Sequence, residues 1–561
     1  MEQVKKIQQF ITGSSLKSVF RWSKCVHGRI VLVCVLQSVV TICGLMQTLA
    51  TRQIIDQAVA GNENALWLWG ACLGALVLGM RGLNYALGIT CTYASTTLQR
   101  SMQEMIVREI LSRDYGGLRK YHSGEMVNRF FSDAGAVRGG VLNLLPDLMS
   151  TAISFFGAAA ILVSMDWRFV PLLLLGGVIG LALVLLFRKP MKDRYRRMQE
   201  AEDALHASVQ ETMENIRLIK ASATEARFTR FIGQRQERLR VEQIRQRRFS
   251  ILMNNGMGLV FSLSWLFCMI WGCFSISRGL LTYGALGAVI QLIGRIQSPI
   301  SRAMDMASEA YSVATSAERL EDLLGLPADE QGEPLSDFDE IRVEDVSFRY
   351  EDDQEIVLSH VNCVFPKGSF TALTGVSGGG KTTLFHLLLG IYRPTEGRIV
   401  FRTGGRELPP SRGVRGLFAY VPQGNTLFSG TLRDNLTMFC DHCSEEEILK
   451  AAQAACIGDL IQEIGLEAAL GERGVGLSEG QAQRVAVARA LLSKAPILLF
   501  DEATSALDEE TEARLLQNIS ALRDKTCIIV THRRAALSIC GREMHIAQGR
   551  LTEKKNDAAI R

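Results

Sequence analysis

Neither sign of charge prevails in this sequence: 62 Lys and Arg stand against 58 Asp and Glu, for a net charge of +4. So even a balance removes any global electrostatic case for nucleic-acid binding, and the basic residues inform only through where they fall. The cysteines form no framework either. Thirteen are present, several inside apolar runs (Cys34, Cys43, Cys72, Cys268, Cys273), without the spacing of a secreted disulfide scaffold, and they read as small apolar packing residues in a reducing compartment. Cys440 and Cys443 flank His442 at a metal-like spacing, but no second CxxC or HxxxH accompanies them, and Ser444 with Glu447 forms a capping box that puts the pair in the loop before a helix. A signal-peptide cleavage site is also missing, because the first apolar run lacks a small-residue cleavage motif and further apolar runs follow it.

What is present is length and apolar character, unevenly distributed. A chain of 561 residues exceeds the roughly 100–200 of one domain. A hydrophobic content of 47% is high for a soluble enzyme and low for a protein that is membrane throughout, so a membrane part joined to a soluble part is expected. Residues 1–29 carry Lys5, Lys6, Lys17, Arg21, Lys24 and Arg29 around Phe20 and Trp22, the pattern of a helix lying on an inner leaflet. A span needs about 20 apolar residues to cross roughly 30 Å of hydrocarbon. Six runs qualify, at about 30–50, 65–90, 144–165, 168–187, 250–277 and 281–298, with Pro171 and Pro299 tolerable if neighbours restore backbone hydrogen bonds. The short links carry Arg52, Arg168 and Arg278 and little other positive charge, whereas the long segments 92–140 and 188–249 are dense in Arg and Lys. By the positive-inside rule those segments and both ends of the chain are cytoplasmic.

The two long segments are polar but repeat apolar residues every three or four positions, so they read as helices running out of the membrane and back. Their reversals are expected near Tyr115–Gly124 and Glu211–Leu218, with something cytoplasmic resting against them. Polar residues in the spans that are candidates for a translocation cavity are Arg81, Asn84, Asn254, Asn255, Gln291 and Arg295. Arg81 and Arg295 have a second reading as interfacial side chains that snorkel to the inner surface; facing the cavity, they would favour an anionic group on the cargo. The acidic, Pro- and Gly-containing stretch GLPADEQGEPLSDFDE marks a linker.

Beyond it, β-rich runs (SFTALTG, ILLF, CIIV) alternate with helical stretches, the rhythm of an α/β domain. Between one such run and the helix TTLFHLLLG lies GVSGGGKT, matching GxxxxGK[ST]. Gly375, Ser377, Gly378, Gly379 and Gly380 let backbone N–H groups wrap phosphates at a helix N-terminus continued by Lys381, Thr382 and Thr383. Lys381 is expected to reach the β and γ phosphates of ATP and Thr382 to bind Mg2+. Downstream, ILLFDE is a buried strand ending in Asp501, placed to complete the Mg2+ shell, and Glu502, placed to face the attacking water.

Around these stands a further set. LSEGQAQR at 477–484 resembles the signature sequence of the ABC transporter ATPases, Tyr350 the aromatic that stacks on adenine, and Gln423 the Q-loop residue that senses magnesium. GERG at 471–474 resembles the exporter-type X-loop, SALD at 505–508 the D-loop, and His532 the switch histidine. In the membrane part TRQIIDQAV, HSGEMVNRFFSDAGAVR and LTYGALGAVIQLIGRIQSPI resemble the half-size exporter class, so the likeness covers essentially the whole chain. Glu479, where Gly is commoner, and Ala482, in place of a polar residue, depart from the signature and leave Ser478 and Gly480 intact.

The resemblance implies an all-α six-helix transmembrane domain with long cytoplasmic helical extensions at 30–325, after the interfacial segment 1–29, then a linker at 326–340 and an α/β P-loop ABC ATPase domain at 341–561. It implies a multi-pass protein of a bacterial inner membrane that exports a peptide, lipid or amphiphile by alternating access. ATP on one P-loop would be completed by Ser478, Gly480 and Gln481 of a second half, a second copy being favoured because Glu502 and His532 are both in place. Uptake by an exporter-like fold, and a soluble mechanical ATPase, are the alternatives. The soluble reading has no place for the spans. A leader-processing peptide exporter is expected to carry a Cys/His protease domain ahead of the first span, which the opening 29 residues do not hold.

Overall fold

The protein is described by a computed structural model covering residues 14–165, 170–350, 355–440, 442–471, 474–522 and 524–554. It divides into two units: Met1–Arg108 with Ser123–Leu324, and Glu109–His122 with Gly325–Arg561.

Along the first part of the chain run α1 (Ser14–Trp22), α2 (His27–Val59), α3 (Glu63–Ser112), α4 (Tyr115–Leu118), α5 (Ser123–Asn128), α6 (Ala134–Gly139) and α7 (Leu145–Met165). They are followed by α8 (Val170–Glu214), α9 (Ile216–Ala221), α10 (Glu225–Ser277) and α11 (Tyr283–Leu324). α10, with 53 residues, is about 80 Å long at 1.5 Å per residue, well over twice a bilayer's hydrocarbon thickness, so its Arg-rich half must extend beyond the membrane. Among the described residues, Lys17–Val59, Glu63–Ser112, Ser123–Met165 and Glu225–Ser277 are long and apolar enough to span. The expected span at 168–187 begins outside the described residues and continues into α8; that at 281–298 opens α11. Lys5 and Lys6 of the interfacial segment also lie outside the described residues, while α1 carries Lys17, Phe20, Arg21 and Trp22, Lys24 lies in the turn after it and Arg29 in α2.

Two expectations about chain reversal are corrected. Arg52 is not in a link, because α2 continues to Val59 and the turn falls at 60–62. The second reversal lies at 215–224 rather than Glu211–Leu218: α8 holds to Glu214, and the chain turns through α9 and Ala223, whose φ is +52°.

Several residues of the exporter-like motifs hold helices together. Asp56 of α2 accepts hydrogen bonds from the Gly284 N–H (2.8 Å) and the Thr282 hydroxyl (3.0 Å), capping the start of α11. Gly284 has no alternative, since a Cβ there would lie 2.2 Å from the Arg52 carbonyl oxygen. A π-helical turn at Arg129–Asp133 turns both of its charged ends toward α11. Arg129, 5% exposed, donates to the Arg319 carbonyl (2.7 Å) and to Glu125 (2.8 Å); Asp133, 1% exposed, pairs with the Arg319 guanidinium and accepts from Ser316 (2.8 Å). The membrane core gathers Leu45, Leu162, Cys268, Val289, Leu292 and Ile293. Small residues let these helices approach, as where a Cβ on Gly157 would meet Leu45 at 2.5 Å.

The second unit contains β1 (Glu340–Phe348), β2 (Leu358–Pro366), β3 (Phe370–Gly375), α12 (Lys381–Leu388), β4 (Glu396–Thr403), β5 (Arg406–Leu408), β6 (Phe418–Val421), β7 (Gly430–Thr431) and α13 (Leu432–Thr437). Then come α14 (Glu445–Ala454), α15 (Gly458–Ile464), β8 (Ala469–Leu470), α16 (Glu479–Leu492), β9 (Ile497–Asp501), α17 (Glu509–Ser520), β10 (Thr526–Val530), α18 (Arg534–Ile539), β11 (Arg542–Ala547) and β12 (Arg550–Lys554). An antiparallel sheet runs β2-β1-β4-β5, and a larger one β12-β11-β3-β10-β9-β6, parallel except at its β12 edge. The central parallel strands β9 and β10 are buried on both faces, as strands covered on both sides must be. Successive residues alternate between two cores: Leu498, Phe500, Cys527 and Ile529 pack on one, Ile497, Leu499, Ile528 and Val530 on the other.

Candidate nucleotide site

In an open α/β sheet, ligands gather at the carboxyl ends of the strands. Here four neighbours in the order β3-β10-β9-β6 end, respectively, in the glycine-rich loop, in the segment bearing His532, in Asp501–Glu502, and two residues before Gln423. Sheet order therefore converges residues that lie up to 157 positions apart in sequence, Gly375 and His532 being the extremes.

The loop between β3 and α12 is built for close approach. Gly375 has φ +142°, and a Cβ there would lie 2.1 Å from the Ile546 carbonyl oxygen of β11. Gly380 caps α12 at φ +100°. Lys381 is buried and folds back so that its ammonium donates to the Gly375 carbonyl (2.7 Å) and the Val376 carbonyl (3.0 Å), closing the loop into a ring. The Thr382 hydroxyl donates to Asp501 Oδ2 (2.7 Å), with the Tyr420 hydroxyl on the same oxygen at 3.4 Å. Asp501 is 2% exposed; burial, and secondarily the neighbouring Glu502 charge, raises its carboxyl above the ordinary aspartate range, against the Thr382 hydrogen bond. Tyr420 is pushed far above the usual phenol range by burial and by the Asp501 charge beside it. The Thr382 hydroxyl and the Asp501 carboxylate are oxygen donors side by side, which suits a hard divalent cation such as Mg2+.

Glu502 adopts φ +53°, rare for a residue with a Cβ and worth about 1–3 kcal/mol of strain. Hydrogen bonds hold it there: its N–H donates to the Val530 carbonyl (3.1 Å) of β10 and its carbonyl accepts from the Ser505 N–H (3.1 Å). Its carboxylate accepts from Gln423 Nε2 (2.8 Å). Thus Thr382, Asp501, Glu502 and Gln423 form one connected group, and exposed His532 leaves the adjacent strand.

The signature residues lie elsewhere. Ser478 is the N-cap of α16: its side chain accepts from the Gln481 N–H (3.2 Å), and Gln481 Oε1 accepts from the Ser478 N–H (2.8 Å). This exposed helix start presents N–H groups and a favourable dipole to an anion, yet its hydrogen bonds stay within its own first turn rather than reaching the glycine-rich loop. Glu479 points to solvent and Ala482 is buried in the core, which accounts for both departures from the signature pattern. Gly480 must be glycine, because a Cβ would sit 2.9 Å from the Ala506 carbonyl oxygen.

Tyr350 follows β1, with Phe348 and Tyr392 packed edge-on against it and its hydroxyl 3.0 Å from Thr383 Oγ1. Of GERG, Glu472 and Arg473 lie outside the described residues. Cys440 and Cys443 are joined as a disulfide rather than standing as free thiols, and Ser444 does form the capping box with Glu447; among the described residues no cluster of three or more His, Cys, Asp and Glu is placed to hold a metal ion. In the membrane unit Arg81, Asn84, Asn254, Asn255 and Gln291 are exposed. Arg295 is instead half-buried and donates to the Gly44 carbonyl of α2 (2.8 Å), seated where a Cβ on Gly44 would collide with it.

Some organising residues carried no motif. Buried Gln483 donates to Ser505 (3.1 Å) and accepts from the Ala506 N–H (3.1 Å), tying α16 to the 505–508 loop. Arg533, beside His532, donates to the Ser505 and Leu507 carbonyls (2.6 and 2.7 Å) and to Glu512 (3.0 Å), fastening that loop to the His532 segment. Polar residues directly flanking motif residues are the one signal by which sequence could have flagged them.

Known proteins place this geometry. Residues 30–300 match the family described as ABC transporter transmembrane region, and residues 358–505 the family described as ABC transporter. The uncharacterized ABC transporter ATP-binding protein YfiB of Bacillus subtilis is 28% identical, over 91% of this chain and 90% of its own length. The ATP-dependent lipid A-core flippase of Desulfotalea psychrophila is 27% identical over 84% of each chain. The solved structure of a bacterial Atm1-family ABC exporter with ATP bound superposes with a TM-score of 0.81 at 22% identity, covering 95% of this chain and 96% of that one. A helical transmembrane region fused to an α/β ATPase domain, each matching its ABC transporter family, makes this chain a member of the ABC transporters, of the half-size exporter type, an integral membrane ATPase that drives export across a membrane.

Proposed function

We propose that two copies of this chain form the working exporter, each supplying the signature face that completes the other's nucleotide site. The observation that carries this reading is the split within one chain: Lys381, Thr382, Asp501, Glu502 and Gln423 are joined around one loop, while Ser478, Gly480 and Gln481 present an exposed helix N-terminus whose hydrogen bonds do not reach it. A second copy suffices because Glu502 and His532 are both present, so each of two equal sites can turn over.

In each site Lys381 binds the β and γ phosphates, Tyr350 stacks on adenine, and Thr382, Asp501 and Gln423 are the residues that would hold Mg2+, which when bound neutralises phosphate charge. Glu502 accepts a proton from the attacking water as its oxygen bonds to the γ phosphorus and the bond to the β–γ bridging oxygen breaks, releasing ADP and phosphate. His532 steadies the γ phosphate. Two ATP molecules bind the closed pair of ATPase units better than the open pair, which shifts the equilibrium toward closure; hydrolysis resets it. The reversals at 115–122 and 215–224 carry that change into the helices they join. The ATPase unit lies on the cytoplasmic side of a bacterial inner membrane, with a lipid-like amphiphile or peptide as cargo; the lipid A-core flippase among the relatives supports the lipid-like class.

The test is ATPase activity of the chain purified alone in lipid nanodiscs, with copy number determined by mass. Glu502-dependent turnover by a two-copy particle, stimulated by an added lipid or peptide, is the expected result. An inactive single-copy particle would replace the second copy with a different partner chain.

A further inference from the structure

The turn at 109–122 belongs to the same compact unit as the ATPase domain. It is fastened there by backbone: the Asp114 N–H donates to the Pro327 carbonyl (3.0 Å) and the Asp329 N–H to the Ser112 carbonyl (2.9 Å). From this anchorage Tyr115 packs against Tyr392 (ring centroids 5.9 Å apart), and Arg119 lays its guanidinium carbon 4.3 Å from the centre of the Tyr350 ring. Tyr350 is otherwise committed: its hydroxyl meets Thr383 on α12, and Phe348 and Tyr392 lie nearly perpendicular to it at 5.0 and 5.4 Å. Arg119 is itself an exposed side chain, and its other contact is with Tyr392.

A purine and a guanidinium are both flat, both attracted to a phenol face, and both need it at stacking distance. They cannot share it. We infer that Arg119 is a specificity-determining residue of the nucleotide site: it lies over the Tyr350 ring, and the adenine ring must displace it to stack there. This rests on the reading of Tyr350 as the adenine platform. Displacement frees the turn from one of its contacts with the ATPase unit, and that turn joins α3 to α5, so arrival of the base, as distinct from the phosphates, is reported to the helices. A ligand with phosphates alone leaves Arg119 where it is.

The experiment compares equilibrium binding of ATP and of inorganic tripolyphosphate to the full chain in nanodiscs, for the parent, Arg119→Ala and Tyr350→Leu. Arg119→Ala is expected to tighten ATP binding about three- to tenfold, the reciprocal of an exposed-to-half-desolvated cation–π contact, while tripolyphosphate affinity stays unchanged. Unchanged or weaker ATP binding would overturn the competition, weaker binding meaning that Arg119 clasps the base instead of yielding to it. Equal tightening of ATP and tripolyphosphate would also overturn it, reducing the effect to loss of a nearby charge. Arg119→Gln, which keeps a planar polar group, guards against misfolding and is expected to fall between parent and alanine. Tyr350→Leu separates this inference from its premise: if ATP binding does not weaken relative to tripolyphosphate, the adenine platform itself is wrong; if it does weaken while Arg119→Ala has no effect, only the competition is.

Discussion

The ATPase unit and the membrane unit use the same kinds of residue for opposite purposes. In the ATPase unit, buried or strained polar residues gather at the carboxyl ends of the parallel strands: Asp501 is buried at a cost to its charged form, and Glu502 is held at φ +53°. In the membrane unit, Asp56, Arg129, Asp133 and Arg295 are all consumed in joining one helix to another. ATP presents the same phosphates to every such ATPase, so its recognition needs fixed residue types at fixed spacing.

That contrast can be broken by substitution. Glu502→Gln removes the proton acceptor and keeps the Gln423 contact, so turnover should fall by at least about 100-fold while ATP stays bound in a long-lived two-copy particle; near-parental turnover would remove Glu502 from the chemistry. Asp133→Ala should act on stability. Losing a partner from a buried pair costs about 3–5 kcal/mol, and because the Arg319 side chain is 49% exposed and can be rehydrated, about 2 kcal/mol is expected here, read as a lower melting temperature with little change in the KM for ATP. Loss of cargo stimulation without loss of stability would instead make Asp133 a cargo residue.

Gln483→Leu leaves the Ala506 N–H and Ser505 unpaired beneath the 505–508 loop and should cost about 1–2 kcal/mol, measurable by denaturant unfolding of the ATPase. Asp501→Asn tests the ligand-site side of the contrast through pH. Because the carboxyl is raised in the folded state, the fold binds its proton more tightly than the unfolded chain does. The stability this confers is complete below the unfolded value of 3.8 and is lost as pH rises through the folded value, so at neutral pH the bare carboxylate is a net cost. The variant should therefore melt slightly higher than the parent without nucleotide and show a flatter dependence above pH 4, while losing the stabilisation by ATP with Mg2+. Arg81→Gln and Arg295→Gln sharpen the comparison within the membrane unit. The first should leave stability within about 0.5 kcal/mol, and the second should lower it by about 1 kcal/mol through the lost Gly44 contact. Reduced transport by Arg81→Gln alone would mark an anionic group on the cargo.

Much of the site was legible in the chain because its motifs are contiguous. A glycine-rich loop, its lysine and the helix after it need only local geometry, and an apolar strand ending in two carboxylates announces itself. Gln423 beside Glu502, Tyr420 beside Asp501 and Arg119 over Tyr350 are not local: 79, 81 and 231 positions separate the partners. The second helix reversal lies beyond the position its charge pattern suggests for a related reason, since a charge-rich helix continues as readily as it stops and Ala223 carries no turn signal.

By itself the sequence determined the two-part plan, four long apolar helices and the glycine-rich loop between a strand and a helix, because hydrophobic length, period-two burial and tight glycine turns are short-range requirements written in consecutive residues. Only the tertiary structure decided that Arg295 joins α2, that Asp56 and Asp133 join α11 to its neighbours, and that the 109–122 turn folds with the ATPase. Those outcomes depend on which distant surfaces meet, and a side chain's local pattern is the same whether its charge ends in water, on a ligand or on another helix's backbone.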